Sequence, residues 1–176
     1  MNISTLLLDL AVKDVRLSYV NGNMKCEGPK DVLTPEVLEA LKSHKDALLG
    51  IIANRDGEYK FCPLSYSQKS LWSIYKFAPE NSSYNINSVF KISADYDIGA
   101  FESALNSVIA HHPTLRTTYH SINGDPVQLV HDTMPVQVSR VSAKAWSESK
   151  TRSWVEAELD RAFNIETGPL VRVTIL

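Results

Sequence analysis

The chain has 176 residues, 44% of them hydrophobic and 22% charged, and a formal net charge of −2. That is enough apolar material for one packed domain or two small ones, and it lacks the basic excess of a general nucleic-acid binder. No apolar run approaches a membrane span, and Met-Asn-Ile-Ser-Thr at the start lacks the basic region and cleavage pattern of a secretory signal.

Ile3, Leu6, Leu7 and Leu10 recur at helical spacing and predict a helix over Ile3 to Lys13. Val15, Leu17 and Tyr19 alternate with other residues at strand period. Asn21-Gly22 follows, a pair that accepts positive φ and signals a hairpin. Met24 to Gly28 is then the returning strand, ended by Pro29. Thr34-Pro35-Glu36 is a helix start: a capping hydroxyl, a proline at the first position, an acid at the positive end of the dipole. Val37, Leu38 and Leu41 give that helix its apolar face, and Leu48, Leu49, Ile51 and Ile52 give the next helix one. The polar run Asn54 to Glu58 contains glycine and reads as a linker.

Beyond it the pattern mixes helix and strand. It predicts a helix near Ser67 to Phe77, a strand near Ile86 to Ile92, and a helix capped by Asp97 that carries Phe101, Leu105, Val108 and Ile109. A hairpin runs Leu115 to Ile122, Asn123-Gly124, Val127 to His131. A short strand at Val136 to Val141 precedes a helix over Ala143 to Arg161, and Leu170 to Leu176 reads as a final strand and an exposed sheet edge. The fold class is therefore α+β: a small α-β-β-α-α unit over 1–54, a linker over 55–62, and a mixed lobe over 63–176.

The chemistry-bearing candidates are few. His111-His112 is followed by Pro113-Thr114-Leu115-Arg116, with no carboxylate in reach, and it sits at a helix end whose dipole favours a partly charged imidazole. It reads as structural. No serine sits in a nucleophile elbow, and no phosphate loop or Cys/His cluster is present. Cys26 and Cys62 lie in different segments and read as free thiols of a reducing cytoplasm. No catalytic residue, metal or cofactor is expected. Glu156, Glu158 and Asp160 read as a solvated helix face, and Trp146 and Trp154 as core or rim of that helix. The helix pair over Thr34 to Ile52 could pass for a helix-turn-helix, but Met1 to Arg55 carries seven basic and seven acidic residues, so a DNA-reading face is missing.

The hairpin is the candidate site. Met24 and Cys26 are its apolar pair and should face the helices, so Lys25 points outward, with Arg16 and Lys30 near it. The return strand is a free edge. Basic flanks on a free edge invite an extended acidic peptide as a third strand, and Glu27 biases the site toward a tail that also holds one basic residue. Arg16, Met24, Lys25, Cys26, Glu27, Gly28 and Lys30 are the expected contacts.

Met24-Lys25-Cys26-Glu27-Gly28-Pro29-Lys30-Asp31-Val32-Leu33-Thr34-Pro35-Glu36, with Leu41-Lys42-Ser43-His44-Lys45 and Leu48-Leu49, resembles the TubC-type N-terminal docking domain of nonribosomal peptide synthetases. Where that family often has a second basic residue on the return strand, this chain has Glu27. Pro63-Leu64-Ser65-Tyr66-Ser67-Gln68-Lys69-Ser70-Leu71-Trp72 and His111-His112-Pro113-Thr114-Leu115-Arg116-Thr117-Thr118-Tyr119 are similar to the first two motifs of a condensation domain, and Phe163 to Leu170 resembles the loop and strand that follow. The resemblance implies a docking domain joined to part of a chloramphenicol-acetyltransferase-like lobe. It implies that the catalytic His-His-x-x-x-Asp-Gly motif lies outside these residues, and that Arg116 and His112 are structural. The partner it implies is the C-terminal tail of an upstream subunit, with carrier proteins serving the full-length parent in amide-bond formation. A homodimerisation module and a fragment of a coenzyme A-dependent acyltransferase are the alternatives.

Overall fold

The computed structural model describes residues 3–53, 57–93 and 95–176. In chain order α1 is Ile3–Val12, β1 Arg16–Val20, β2 Asn23–Glu27, α2 Pro35–Ser43 and α3 Lys45–Ile52; β3 is Glu58–Pro63, α4 Tyr66–Phe77, and α5 Ile98–His111. A short 3-10 turn over Pro113–Arg116 leads into β4 Thr117–Ile122 and β5 Asp125–His131; then come β6 Ser139–Arg140, α6 Glu148–Leu159 and β7 Thr174–Ile175.

Local chemistry sets the boundaries. Thr34 accepts from Val37 N at 3.4 Å and starts α2. Ser65 and Gln68 form a reciprocal capping box on α4. Asp97 takes Gly99 N at 2.7 Å and Ala100 N at 3.1 Å to open α5. Both hairpins turn on an Asn-Gly pair with positive φ, 51° and 80° at Asn21-Gly22 and 53° and 91° at Asn123-Gly124.

The main sheet has five strands in the order β2-β1-β3-β5-β4, every neighbour antiparallel. Its covered face carries Leu17, Tyr59, Phe61, Val127, Leu129 and Ile122. These share one core with Leu6, Leu7 and Leu10 of α1, Val37 and Leu41 of α2, and Leu48 and Ile52 of α3. Buried Thr118 and His131 lie on that face as well, bonded Oγ1 to Nε2 at 2.8 Å; the same hydroxyl meets His120 Nε2 at 2.9 Å. On the opposite face α4 docks through Gln68, whose amide reaches Gln128 at 3.1 Å and the Tyr119 hydroxyl at 3.4 Å.

The largest departure from the sequence reading is the linker. Of the expected 55–62 stretch and its Asn54 flank, residues 54–56 lie outside the described residues, and Glu58–Pro63 is β3, the central strand. Its pattern alternates buried Tyr59 and Phe61 with more exposed Lys60 and Cys62, which is strand period hidden inside a polar-looking stretch. The two expected units thus share a sheet and a core.

Other elements are shorter than expected. Ile86 to Ile92 forms no strand; it meets no ladder partner among the described residues and leaves Ile86 and Phe90 exposed. Only Ser139–Arg140 of Val136 to Val141 and Thr174–Ile175 of Leu170 to Leu176 are strand, and they pair in parallel with each other. Residues 170–175 are half-buried rather than exposed, and β7 is an edge strand, with β6 as its one ladder partner among the described residues. The last helix begins at Glu148, where Ser147 caps Lys150 N at 3.2 Å. Among the described residues no helix is long and apolar enough to cross a membrane.

Candidate functional site

β2 is the outermost strand of the sheet. Along it Asn23, Lys25 and Glu27 are exposed while Met24 and Cys26 are half-buried against the core. This is the facing expected from the alternation, and it follows from β1, whose Leu17 opposes Cys26 and whose Tyr19 opposes Met24. Burial pushes the Cys26 thiol above its usual range, and the Glu27 charge adds to the effect. Burial does the same to the Cys62 thiol on β3, partly offset by the charge of Lys60.

Arg16 is placed differently from the expectation that it lends its charge to the edge. Its guanidinium is 3.2 Å from Glu58 and 3.7 Å from Asp132, across the sheet from the free side of β2. These are exposed pairs and contribute little to stability, but they occupy the Arg16 charge. Lys25, Glu27 and Lys30 have no ion pair among the described residues, so the free side of β2 carries both signs.

Gly28 has a packing role at the end of β2. A Cβ at this position would stand 2.8 Å from Val15 Cγ2 and 3.4 Å from Val15 Cα, and Val15 is buried. Gly28→Ala is therefore expected to destabilise the fold by about 1–3 kcal/mol through overpacking. The check is a lowered denaturant midpoint with an unchanged m-value.

The expected structural pair lies at the other end of the molecule. His111 and His112 are both exposed, their rings edge to face at 5.0 Å, and His112 closes α5 with its main-chain N–H on Val108 O. Arg116 is half-buried; its Nη1 donates to the main-chain oxygen of His131, and its Nε is buried with no partner among the described residues. Among the described residues no group of His, Cys, Asp and Glu is arranged to hold a metal.

Alternation gave no sign of one further feature. An apolar cleft of about 1300 Å³ opens between α4, residues 84–92, α6 and the C-terminal stretch, lined by Trp72, Ile86, Phe90, Trp154, Leu159 and Phe163 among others. Glu158 is at its wall and not on a solvated face: it is held by Arg161 at 2.6 Å and Arg172 at 3.3 Å. Trp154 lines the cleft and meets the ring of Trp146 at 5.8 Å, the two planes tilted by 53°.

Residues 3–52 match the TubC N-terminal docking domain, and residues 58–176 match the condensation domain. Tyrocidine synthase 3 of Brevibacillus parabrevis is 34% identical over 116 residues, which are 66% of this chain and 2% of that protein. Bacitracin synthase 2 of Bacillus licheniformis is 24% identical over an alignment that takes in 100% of this chain and 7% of that protein. The chain thus spans less than a tenth of the length of either relative. Among solved structures, a holo four-domain nonribosomal peptide synthetase bound to AMP and glycine superposes with a TM-score of 0.60 at 23% identity, over 65% of this chain and 9% of that one. That likeness shows the fold, the acetyltransferase-like α+β lobe expected from the motifs.

Proposed function

The chain belongs to the condensation-domain family of nonribosomal peptide synthetases, with a TubC N-terminal docking domain in front, and from that premise we propose that β2 binds the C-terminal tail of an upstream synthetase subunit by strand addition. The observation that carries this reading is the position of β2: the outermost strand of the sheet, with Lys25 and Glu27 exposed along it. An extended peptide gains main-chain bonds there and is selected by the side chains beside it. Four such bonds at about 1 kcal/mol each, with a buried side-chain anchor of about 2–3 kcal/mol, correspond to an affinity on the order of tens of micromolar. Rim charges act mainly on partner choice and association rate. The ordering of subunits, carrier proteins as substrates of the parent and a cytoplasmic site of action belong to the same reading.

Titration of the labelled chain with candidate upstream tails tests it. Resonances of Met24 to Gly28 are expected to move. Shifts confined to α2 and α3, with β2 unmoved, would overturn strand addition.

The same reading assigns these residues recognition rather than chemistry. Amide formation needs a base within hydrogen-bond reach of the attacking amine, and His111-His112 lies exposed at the end of α5, away from the cleft lining. With two loaded carrier proteins, the chain is expected to yield no peptide above a protein-free control. Turnover that tracks the chain's concentration would overturn this assignment.

A second copy is the other occupant supported by an observation. Leu8 and Val12 form an exposed apolar stripe on α1, 49% and 77% accessible. Mass in solution with and without a tail peptide separates self-association from tail binding.

A further inference from the structure

The sheet specifies more about the tail than its extended form. In an antiparallel pair, opposed residues alternate between exchanging both main-chain bonds and exchanging none. One bond fixes that alternation for every strand. Asp132 N donates to Glu58 O at 3.0 Å, so Glu58 turns its main chain toward β5 and Tyr59 turns toward β1. Leu17 opposes Tyr59 and turns toward β3. Cys26 opposes Leu17 and so turns its N–H and C=O away from β1, and Met24 does the same two residues earlier. The Asn21-Gly22 turn gives the same parity, since the residues flanking such a two-residue loop, Val20 and Asn23, exchange both bonds.

Carried to the far edge, the alternation turns Tyr119 outward from β4. Tyr119 N does donate outward, to Ile165 O at 2.9 Å. The β4 edge is therefore covered at that point, whereas the outward groups of Met24 and Cys26 meet no bond among the described residues.

Opposed residues share a face of the sheet. A residue opposite Met24 or Cys26 lies beside half-buried side chains at the rim of the core. A residue opposite Lys25 or Glu27 lies on the exposed face, beside a charge with no ion pair among the described residues. Resting on the docking reading above, we propose that the tail is an antiparallel strand whose sequence, read from its N-terminal side, runs basic, apolar, acidic, apolar. Its basic residue opposes Glu27, its acidic residue opposes Lys25, and its two apolar residues exchange main-chain bonds with Cys26 and Met24.

The test uses the full chain at low concentration, because β2 itself contains Lys25-Cys26-Glu27 and a second copy meets the same code. The probes are a Lys-Val-Glu-Val peptide with glycine-serine flanks and its charge-exchanged form Glu-Val-Lys-Val, read by calorimetry and by the resonances of Met24 to Glu27. The first peptide is expected to bind several-fold more tightly, and the double variant K25E/E27K to reverse the preference. N-methylation of either valine removes an inward-facing donor and is expected to cost about tenfold or more in affinity. N-methylation of the glutamate, whose N–H faces away from β2, is expected to change affinity by less than about twofold.

If the peptides move Met24 to Glu27 but bind without charge preference, or are sensitive at the glutamate N–H and not at the valines, the register is overturned while docking at β2 stands. If no peptide, including natural tails, moves Met24 to Glu27, the docking reading itself falls.

Discussion

Phe61→Ala is expected to unfold α1 to α3 and the β3-β5-β4 ladder in one transition, at a cost of about 3–5 kcal/mol. Phe61 is 3% exposed and belongs to the same buried cluster as Leu6, Leu7 and Leu10 of α1 and Leu48 of α3. Truncating it leaves a cavity bordered by both parts of the chain. Against a typical total stability of about 5–15 kcal/mol, that loss is large. Hydrogen exchange is the measurement: amides of α1 and of β5 should lose protection together and by the same amount. If the amides of α1 to α3 keep their protection while those of β5 lose it, the two parts are independent and the shared core is not a cooperative unit.

Two proline substitutions one residue apart on β2 are expected to have opposite consequences. The Cys26 N–H points away from β1, so Cys26→Pro removes a donor from the free edge and leaves the ladder to β1 intact. Proline is tolerated on edge strands in that orientation. The variant is expected to stay folded and to lose tail binding by about tenfold or more, one main-chain bond together with a steric block. Lys25 opposes Ser18 in a bonded pair, so Lys25→Pro breaks the ladder itself and is expected to melt the hairpin. Far-ultraviolet circular dichroism and calorimetry on the two variants decide the matter. Equal loss of structure in both would mean that the alternation along β2 is assigned to the wrong residues.

The N-terminal elements were legible because each is announced by local chemistry. Asn21-Gly22, Thr34-Pro35-Glu36 and the four apolar residues of α1 each suffice for one boundary, and the observed elements begin or end within a residue or two of the predicted ones. β3 was not legible, for a reason that is also local. Its N-terminal flank is polar and contains Gly57, and its two buried residues are aromatics at strand spacing between Lys60 and Cys62, too few to register as a periodic run. Only pairing with β1 on one side and β5 on the other makes it a strand. Ile86 to Ile92 fails in the opposite sense: it is β-rich in composition, but a strand needs a ladder, and none of the described residues supplies one.

The candidate site divides in the same way. Alternation along Met24 to Glu27 fixed which side chains face the core and which face out. It could not show that the Arg16 charge is taken up by Glu58 and Asp132, because those partners come from a strand hidden in the apparent linker and from the residue after β5, 42 and 116 positions away in sequence. Nor could it distinguish Gly28 as a contact from Gly28 as the residue that makes room for Val15.

The bond from Tyr119 to Ile165 has a consequence for assembly. A sheet with two open edges has a valence of two, and copies of it can add without limit into a fibre. Here the β4 edge is bonded to Ile165 at Tyr119, whereas the outward groups of Met24 and Cys26 on β2 meet no bond among the described residues, so β2 is the readier edge for addition. Growth that uses β2 alone terminates at a pair, and any ligand that takes β2 ends it at a single copy.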